Sequence, residues 1–119
     1  MARILIADDT AFMRMMIKNI LTRHGHEVVG EAANGEEAVT RYAELLPDVV
    51  TMDITMPGKD GIAALKEIIA ADPAARIVMC SALGQETKVI ESIRSGAKDF
   101  VVKPFEQQRV LSAVTKALG

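Results

Sequence analysis

Four short apolar runs in this chain each end in a residue suited to phosphate chemistry. Ile4-Leu5-Ile6-Ala7 leads into Asp8 and Asp9, and Val49-Val50-Thr51-Met52 into Asp53. Ile77-Val78-Met79-Cys80 leads into Ser81, and Phe100-Val101-Val102 into Lys103-Pro104. Mg²⁺ takes carboxylate oxygens and keeps waters, so one or two acids plus a phosphate suffice to hold it. A carboxylate can also act as a nucleophile and form an aspartyl phosphate. Beside two other acids the charge of Asp53 is tolerable only with a cation present, which predicts a Mg²⁺-dependent reaction. Lys103 offers a point charge for the same phosphate, and its bond to Pro104 is a candidate for the cis isomer. The Ser81 hydroxyl can donate to a phosphoryl oxygen. Each residue also has an ordinary reading: Asp8 or Asp9 as a helix cap, Asp53 as an acid leaving the sheet, Lys103 as a surface charge. It is their shared position that favours the site.

That position depends on the elements between them. Strands and helices alternate from end to end, without a linker or repeat. The first helix spans about Ala11 to Arg23, with Met13, Met16, Ile17, Ile20 and Leu21 as its apolar stripe, and Gly25 stops it. Glu27 to Ala32 is the second strand. Gly35 to Leu46 is the second helix, turned inward through Ala38, Val39, Tyr42 and Leu45. Pro47-Asp48 breaks the chain before the third strand. The third helix buries Ile62, Leu65, Ile68 and Ile69, and Asp72-Pro73 ends it. Arg76 to Cys80 is the fourth strand, Gln85 to Ser95 the fourth helix and Asp99 to Val102 the fifth strand. The last helix begins near Phe105 and carries Val110, Leu111, Val114 and Leu118. Such βα alternation makes a doubly wound α/β fold, a parallel sheet with helices on both faces. Its ligands bind at the carboxyl edge of the strands, where all the candidate residues fall.

The 119 residues form one domain, 1–119, large enough for a core. A formal charge of −2 leaves no basic footprint for nucleic acid. No apolar run is long enough to cross a membrane, and the start lacks the length and cleavage site of a signal peptide. The single cysteine, Cys80, has no partner for an internal disulfide, which fits a reducing cytoplasm. A monomer is the default expectation.

Over nearly its whole length the chain resembles the receiver domain of two-component response regulators. The resemblance is carried by Asp8-Asp9, Asp53 with Met56-Pro57 and Gly61, Ser81-Ala82, Gly96-Ala97 and Lys103-Pro104-Phe105. It implies a flavodoxin-like sheet of five strands in the order 2-1-3-4-5, an order taken over from that fold family rather than derived from this chain. It further implies that a histidine kinase supplies a phosphoryl group to Asp53. Asp8, Asp9, Asp53 and the backbone carbonyl of Thr55 would hold Mg²⁺, while Ser81 and Lys103 would grip the phosphoryl group. The segments from Asp8 to Met16 and from Met52 to Pro57 resemble, more narrowly, the chemotaxis regulators of Gram-positive and Thermotoga-type bacteria.

The resemblance makes Ser81 and Phe100 the switch, with Phe100 standing where many chemotaxis regulators have Tyr. It places the output face on the fourth helix, fifth strand and fifth helix. There Val89, Ile93, Ala97 and Phe100 are expected to form an apolar groove rimmed by Lys88 and Arg94, with Ile90 in the core. An amphipathic helix of a flagellar motor switch protein would dock in it, and Val89→Asp should abolish that binding. Thr55 and Leu83 offer no carboxamide or carboxylate to orient a hydrolytic water. The phosphate is therefore expected to leave slowly without a separate phosphatase, for which Phe12 and Met15 are candidate contacts. Three other readings share parts of this pattern. A flavin carrier of flavodoxin type would need a hydroxyl- or glycine-rich loop where this chain has acids. An aspartate-nucleophile phosphatase would need a larger cap and its nucleophile after the first strand. A phosphorelay intermediate would pass its phosphate to a histidine phosphotransferase. The chain stops after the fifth helix, so its output is expected to act through another protein.

Overall fold

A computed structural model describes residues 1–119. Five strands alternate with five helices: β1 (Arg3–Ala7), α1 (Ala11–Arg23), β2 (Glu27–Ala32), α2 (Gly35–Leu45), β3 (Val49–Asp53), α3 (Gly61–Ala71), β4 (Ile77–Ser81), α4 (Glu86–Arg94), β5 (Asp99–Val102) and α5 (Gln107–Leu118). The sheet order is β2-β1-β3-β4-β5, with every neighbouring pair parallel. Because side chains alternate along a strand, each central run feeds two cores. Leu5, Val50, Met52, Ile77 and Met79 pack with α2 and α3 through Ala38, Leu65 and Ile68. Ile4, Ile6, Val49, Val78 and Val101 pack with α1 and α5 through Ile17, Leu21, Val110 and Val114. Burial on both faces explains why these strands read as unbroken apolar runs rather than alternating ones.

Local signals set the helix starts. The Asn34 side chain accepts from the Glu37 amide at 2.9 Å, and that of Asp60 from the Ala63 amide at 2.8 Å, each satisfying a free donor of a first turn. At the other end of α2, Leu46 takes the left-handed conformation (φ 45°) and its carbonyl accepts from Arg3. Gly61 opens α3 directly against β3, and a Cβ there would fall on the backbone carbonyl of Asp53.

Three expectations are corrected. The last helix starts at Gln107, two residues later than expected; Phe105 precedes it and packs on the α1–α5 core. Ile90 is not a core residue but 53% exposed. Helix α4 meets the sheet through Val89 and the fully buried Ser92, three residues apart on one face, so Ile90 and Ile93 lie on its flank. Ala97 leaves the expected groove altogether. Gly96 turns the chain at φ 114°, and Ala97 is buried in the α2–α3 core.

Candidate functional site

The carboxyl ends of β1, β3, β4 and β5 converge as the sheet register requires. Ala7 pairs with Met52, Asp53 with Cys80, and Ser81 with Val102. Asp8, Asp9 and Asp53 therefore offer carboxylate oxygens that all lie within 4.8 Å of one another. Asp8 and Asp53 are buried, while Asp9 faces outward. The Lys103 ammonium stands between the two buried acids, 3.0 Å from Asp53 Oδ2 and 3.1 Å from Asp8 Oδ2. The Lys103-Pro104 bond is cis, and the Lys103 amide donates to the Ser81 carbonyl at 2.7 Å.

The loop after β1 is held firmly. Asp8 Oδ1 accepts from both the amide and the hydroxyl of Thr10, each at 2.9 Å. Arg14 donates to the Asp8 carbonyl at 2.7 Å and pairs with Glu31 at 2.9 Å. Neither acid caps α1: its N-cap is Thr10, without a side-chain cap bond. Asp8 Oδ2 is buried and accepts no hydrogen bond, meeting only the charge of Lys103. Such an orphaned oxygen, beside two more carboxylates, is what a hard cation would take up.

The electrostatics are unbalanced, with three acids facing one base. Burial pushes the Asp53 carboxyl above the usual aspartate range, and the charge of Asp8 adds to the push. Hydrogen bonds from Lys103 and the Thr55 amide only partly oppose it. Burial alone would lower Lys103, but the hydrogen bond to Asp53 and the charges of Asp53 and Asp8 outweigh it and hold the ammonium above the usual lysine range. The Cys80 thiol, fully enclosed beneath the site, is raised by burial and by the charge of Asp53, so it is an inert core group.

Two polar contacts at this edge were not legible in the sequence. Gln85 caps the start of α4, yet its side chain turns back. Its Oε1 accepts from the Ala82 amide at 2.7 Å, and its Nε2 donates to Thr55 Oγ1 at 2.8 Å. A carboxamide thus stands beside Thr55, delivered from position 85 across two loops. Further along, Arg109 of α5 donates to both carboxylate oxygens of the buried Asp99 at 3.1 and 2.9 Å and to the Phe100 carbonyl. Its guanidinium also lies 5.6 Å from the centre of the Phe100 ring.

Beside the acidic site lies an apolar cavity of about 510 Å³, lined among others by Ser81, Leu83, Val89, Ile90, Ile93 and Phe100. Arg94 reaches it and Lys88 does not. Phe12 and Met15 on α1 are exposed.

The fold and this acidic edge fit a response-regulator receiver domain. The family model of the response regulator receiver domain matches residues 4–115, and the chain belongs to that family. Within the family it is CheY-like. It is 64% identical over 117 residues to the chemotaxis protein CheY of Bacillus subtilis, covering 98% of both chains. It is 61% identical to the chemotaxis protein CheY of Thermotoga maritima, covering 96% of this chain and 95% of that one. Among solved structures, a chain of the CheX–CheY–BeF3–Mg²⁺ complex from Borrelia burgdorferi superposes with a TM-score of 0.94 at 41% identity, covering 98% of this chain and 89% of that chain. These likenesses support a chemotaxis response regulator and do not favour the flavin-carrier, phosphatase or relay readings. None of the helices is long and apolar enough to cross a membrane.

Proposed function

We propose that the chain works as one receiver domain, 1–119, in the cytoplasm, and that Asp53 accepts a phosphoryl group from a histidine kinase. The convergence of three carboxylates, two of them paired with one lysine, carries this reading. An Asp53 carboxylate oxygen attacks phosphorus as the P–N bond to the kinase histidine breaks. The bonding pair stays on the imidazole nitrogen, which is reprotonated. Lys103, already 3.0 Å from the carboxylate, holds the charge on the transferred oxygens, and Ser81 donates to one of them. Asp8, Asp9, Asp53 and the Thr55 carbonyl would hold Mg²⁺, which when bound neutralises the charge that the acids and the phosphoryl group place together.

Ser81 and Phe100 both line the apolar cavity, so they connect the acceptor site to the surface where a partner docks. The output is binding of a flagellar motor switch protein through an amphipathic segment that fills the groove of Val89, Ile90, Ile93 and Phe100. The protein is thus a signalling switch that acts only on its own phosphate, and a separate phosphatase ends the signal. The test is a titration of the Mg²⁺-loaded protein with the N-terminal peptide of the same organism's flagellar switch protein, with and without beryllofluoride. Tighter binding with beryllofluoride, lost in Asp53→Asn, is expected. Equal binding in both states would overturn the switch reading.

A further inference from the structure

We infer that Arg109 is a positioning residue for partner docking: from behind the groove it fixes Phe100, the aromatic part of the groove wall. The inference rests on the reading of that groove as the docking face. It starts from the place of β5, which ends the sheet and so meets no strand on one side. An edge strand leaves a row of amides and carbonyls without a strand partner. At Phe100 two side chains take both groups. Its amide donates to Asp99 Oδ1 at 2.8 Å, and its carbonyl accepts from Arg109. The guanidinium also donates to both carboxylate oxygens of Asp99, at 3.1 and 2.9 Å. Asp99 is buried, so the orientation of Arg109 is itself set by a fork on a fixed carboxylate.

The same group holds the ring. The guanidinium carbon lies 5.6 Å from the centre of the Phe100 ring, within the range at which a cation is drawn to a π face. A phenyl ring has no hydroxyl to anchor it, so its orientation depends on packing and on this cation. Phe100 is half-buried and packs on the α2–α3 core, with Val89, Ile90 and Ile93 beside it in the groove. Arg109 lines a separate cleft of about 350 Å³, together with Val102, Lys103 and Glu106. A partner seated in the groove therefore meets Phe100, and Arg109 acts on it through the ring. A wall fixed before binding spares the complex the cost of ordering it. Loss of Arg109 frees the ring, and that cost returns as weaker binding.

Two measurements on Arg109→Gln test this. One is the flipping rate of the Phe100 ring in the unbound protein, from aromatic NMR line shapes. The other is the affinity of the protein, loaded with Mg²⁺ and beryllofluoride, for the flagellar switch peptide. With the cation removed from the ring, flipping should speed and affinity should fall, each by about fivefold. Uptake of beryllofluoride, read by fluorine NMR, should be unchanged. Arg109→Lys keeps a charge opposite Asp99 but not the planar fork. It should move both measurements in the same direction, and it keeps the test available if Arg109→Gln folds poorly. In a Phe100→Leu background, Arg109→Lys should cost no affinity, because the ring it acts through is gone. A role confined to fold stability would leave that cost in place. The inference is overturned if Arg109→Lys flips its ring and binds peptide like the parent, if only one of the two measurements moves, or if the loss of affinity persists beside Phe100→Leu. If the loaded parent binds no peptide, the docking reading fails instead, and the flipping rates alone decide whether Arg109 holds the ring.

Discussion

Asp53→Asn should stabilise the metal-free protein, because the carboxylate that makes the site reactive is a burden on the fold. The side chain is 6% exposed, and taking an ion out of water costs several kcal/mol after relaxation. At an effective dielectric of about 20, Asp8 within 4.8 Å repels it by roughly 3.5 kcal/mol, while Lys103 at 3.0 Å attracts it by roughly 5.5 kcal/mol. These two neighbours thus leave a net attraction of about 2 kcal/mol, which the exposed Asp9 only reduces and which the desolvation cost exceeds. This agrees with the upward push on the Asp53 carboxyl. Lys103 is not stranded by the substitution, since Asp8 Oδ2 remains 3.1 Å away. The expected gain is about 1–3 kcal/mol at pH 7.5 in chelator, or on the order of 3–6 °C in Tm per kcal/mol, measured by urea unfolding. The gain should depend on pH. The folded carboxyl keeps its proton to a higher pH than the unfolded one, so its penalty is full above the folded pKa and vanishes below the ordinary aspartate value. Parent and variant should therefore converge as the pH falls through that window. Added Mg²⁺ should stabilise the parent more than the variant. If Asp53→Asn is less stable than the parent by 1 kcal/mol or more in chelator at pH 7.5, the Lys103 pairing outweighs burial and the reasoning fails.

Two further substitutions probe the frame around the site. Asp99→Asn should cost about 1–2 kcal/mol at neutral pH, since a buried carboxylate loses a two-pronged pairing with a guanidinium that is itself 39% exposed. Burial opposes ionisation of Asp99, but Arg109 and the Phe100 amide outweigh it and hold the carboxyl below the usual range. Its contribution is then present above the unfolded pKa and lost as the pH falls through the folded one, so acid titration of parent against variant should show the difference shrinking; a constant difference would assign it to packing. Gly61→Ala drives a Cβ onto the Asp53 carbonyl and should cost about 1–3 kcal/mol, with slower phosphorylation by a small acyl phosphate; a variant matching the parent in both would show that α3 can shift away without disturbing Asp53.

The frame was legible because it rests on one-dimensional signals. Apolar runs too unbroken for a half-exposed sheet marked the central strands, and the alternation with amphipathic helices fixed a parallel sheet. Asp8, Asp9, Asp53, Ser81 and Lys103 were legible together because each ends such a run, and parallel strands bring their ends to one edge. What escaped were choices between faces of a helix and reaches of long side chains. Ile90 and Ser92 differ by two positions on α4, and hydrophobicity favours burying Ile90. The structure buries Ser92, whose hydroxyl donates to the Lys88 carbonyl at 2.8 Å and so meets its polar demand within the helix. Ala97 looked like groove because it neighbours β5 in sequence, but the left-handed turn at Gly96 carries it into the core. Gln85 and Arg109 act across loops and between elements, with no spacing rule to announce them.

The site's reactivity and its instability have the same cause. A carboxylate surrounded only by donors would be stable and poorly disposed to attack. Here Lys103 is shared between Asp53 and Asp8, so neither acid is neutralised, and Asp8 Oδ2 is left without a hydrogen bond. The phosphorylation proposed for Asp53 would add still more negative charge there. The added group can be held only by drawing Lys103, the Ser81 hydroxyl and a divalent cation more closely around it. Ser81 also lines the apolar cavity, together with Phe100, Ile90 and Ile93. Any movement of its turn toward the new charge therefore changes the wall of that cavity. On the proposed reading, charge imbalance at the sheet edge is what would give a single covalent event on Asp53 a mechanical consequence on the cavity face.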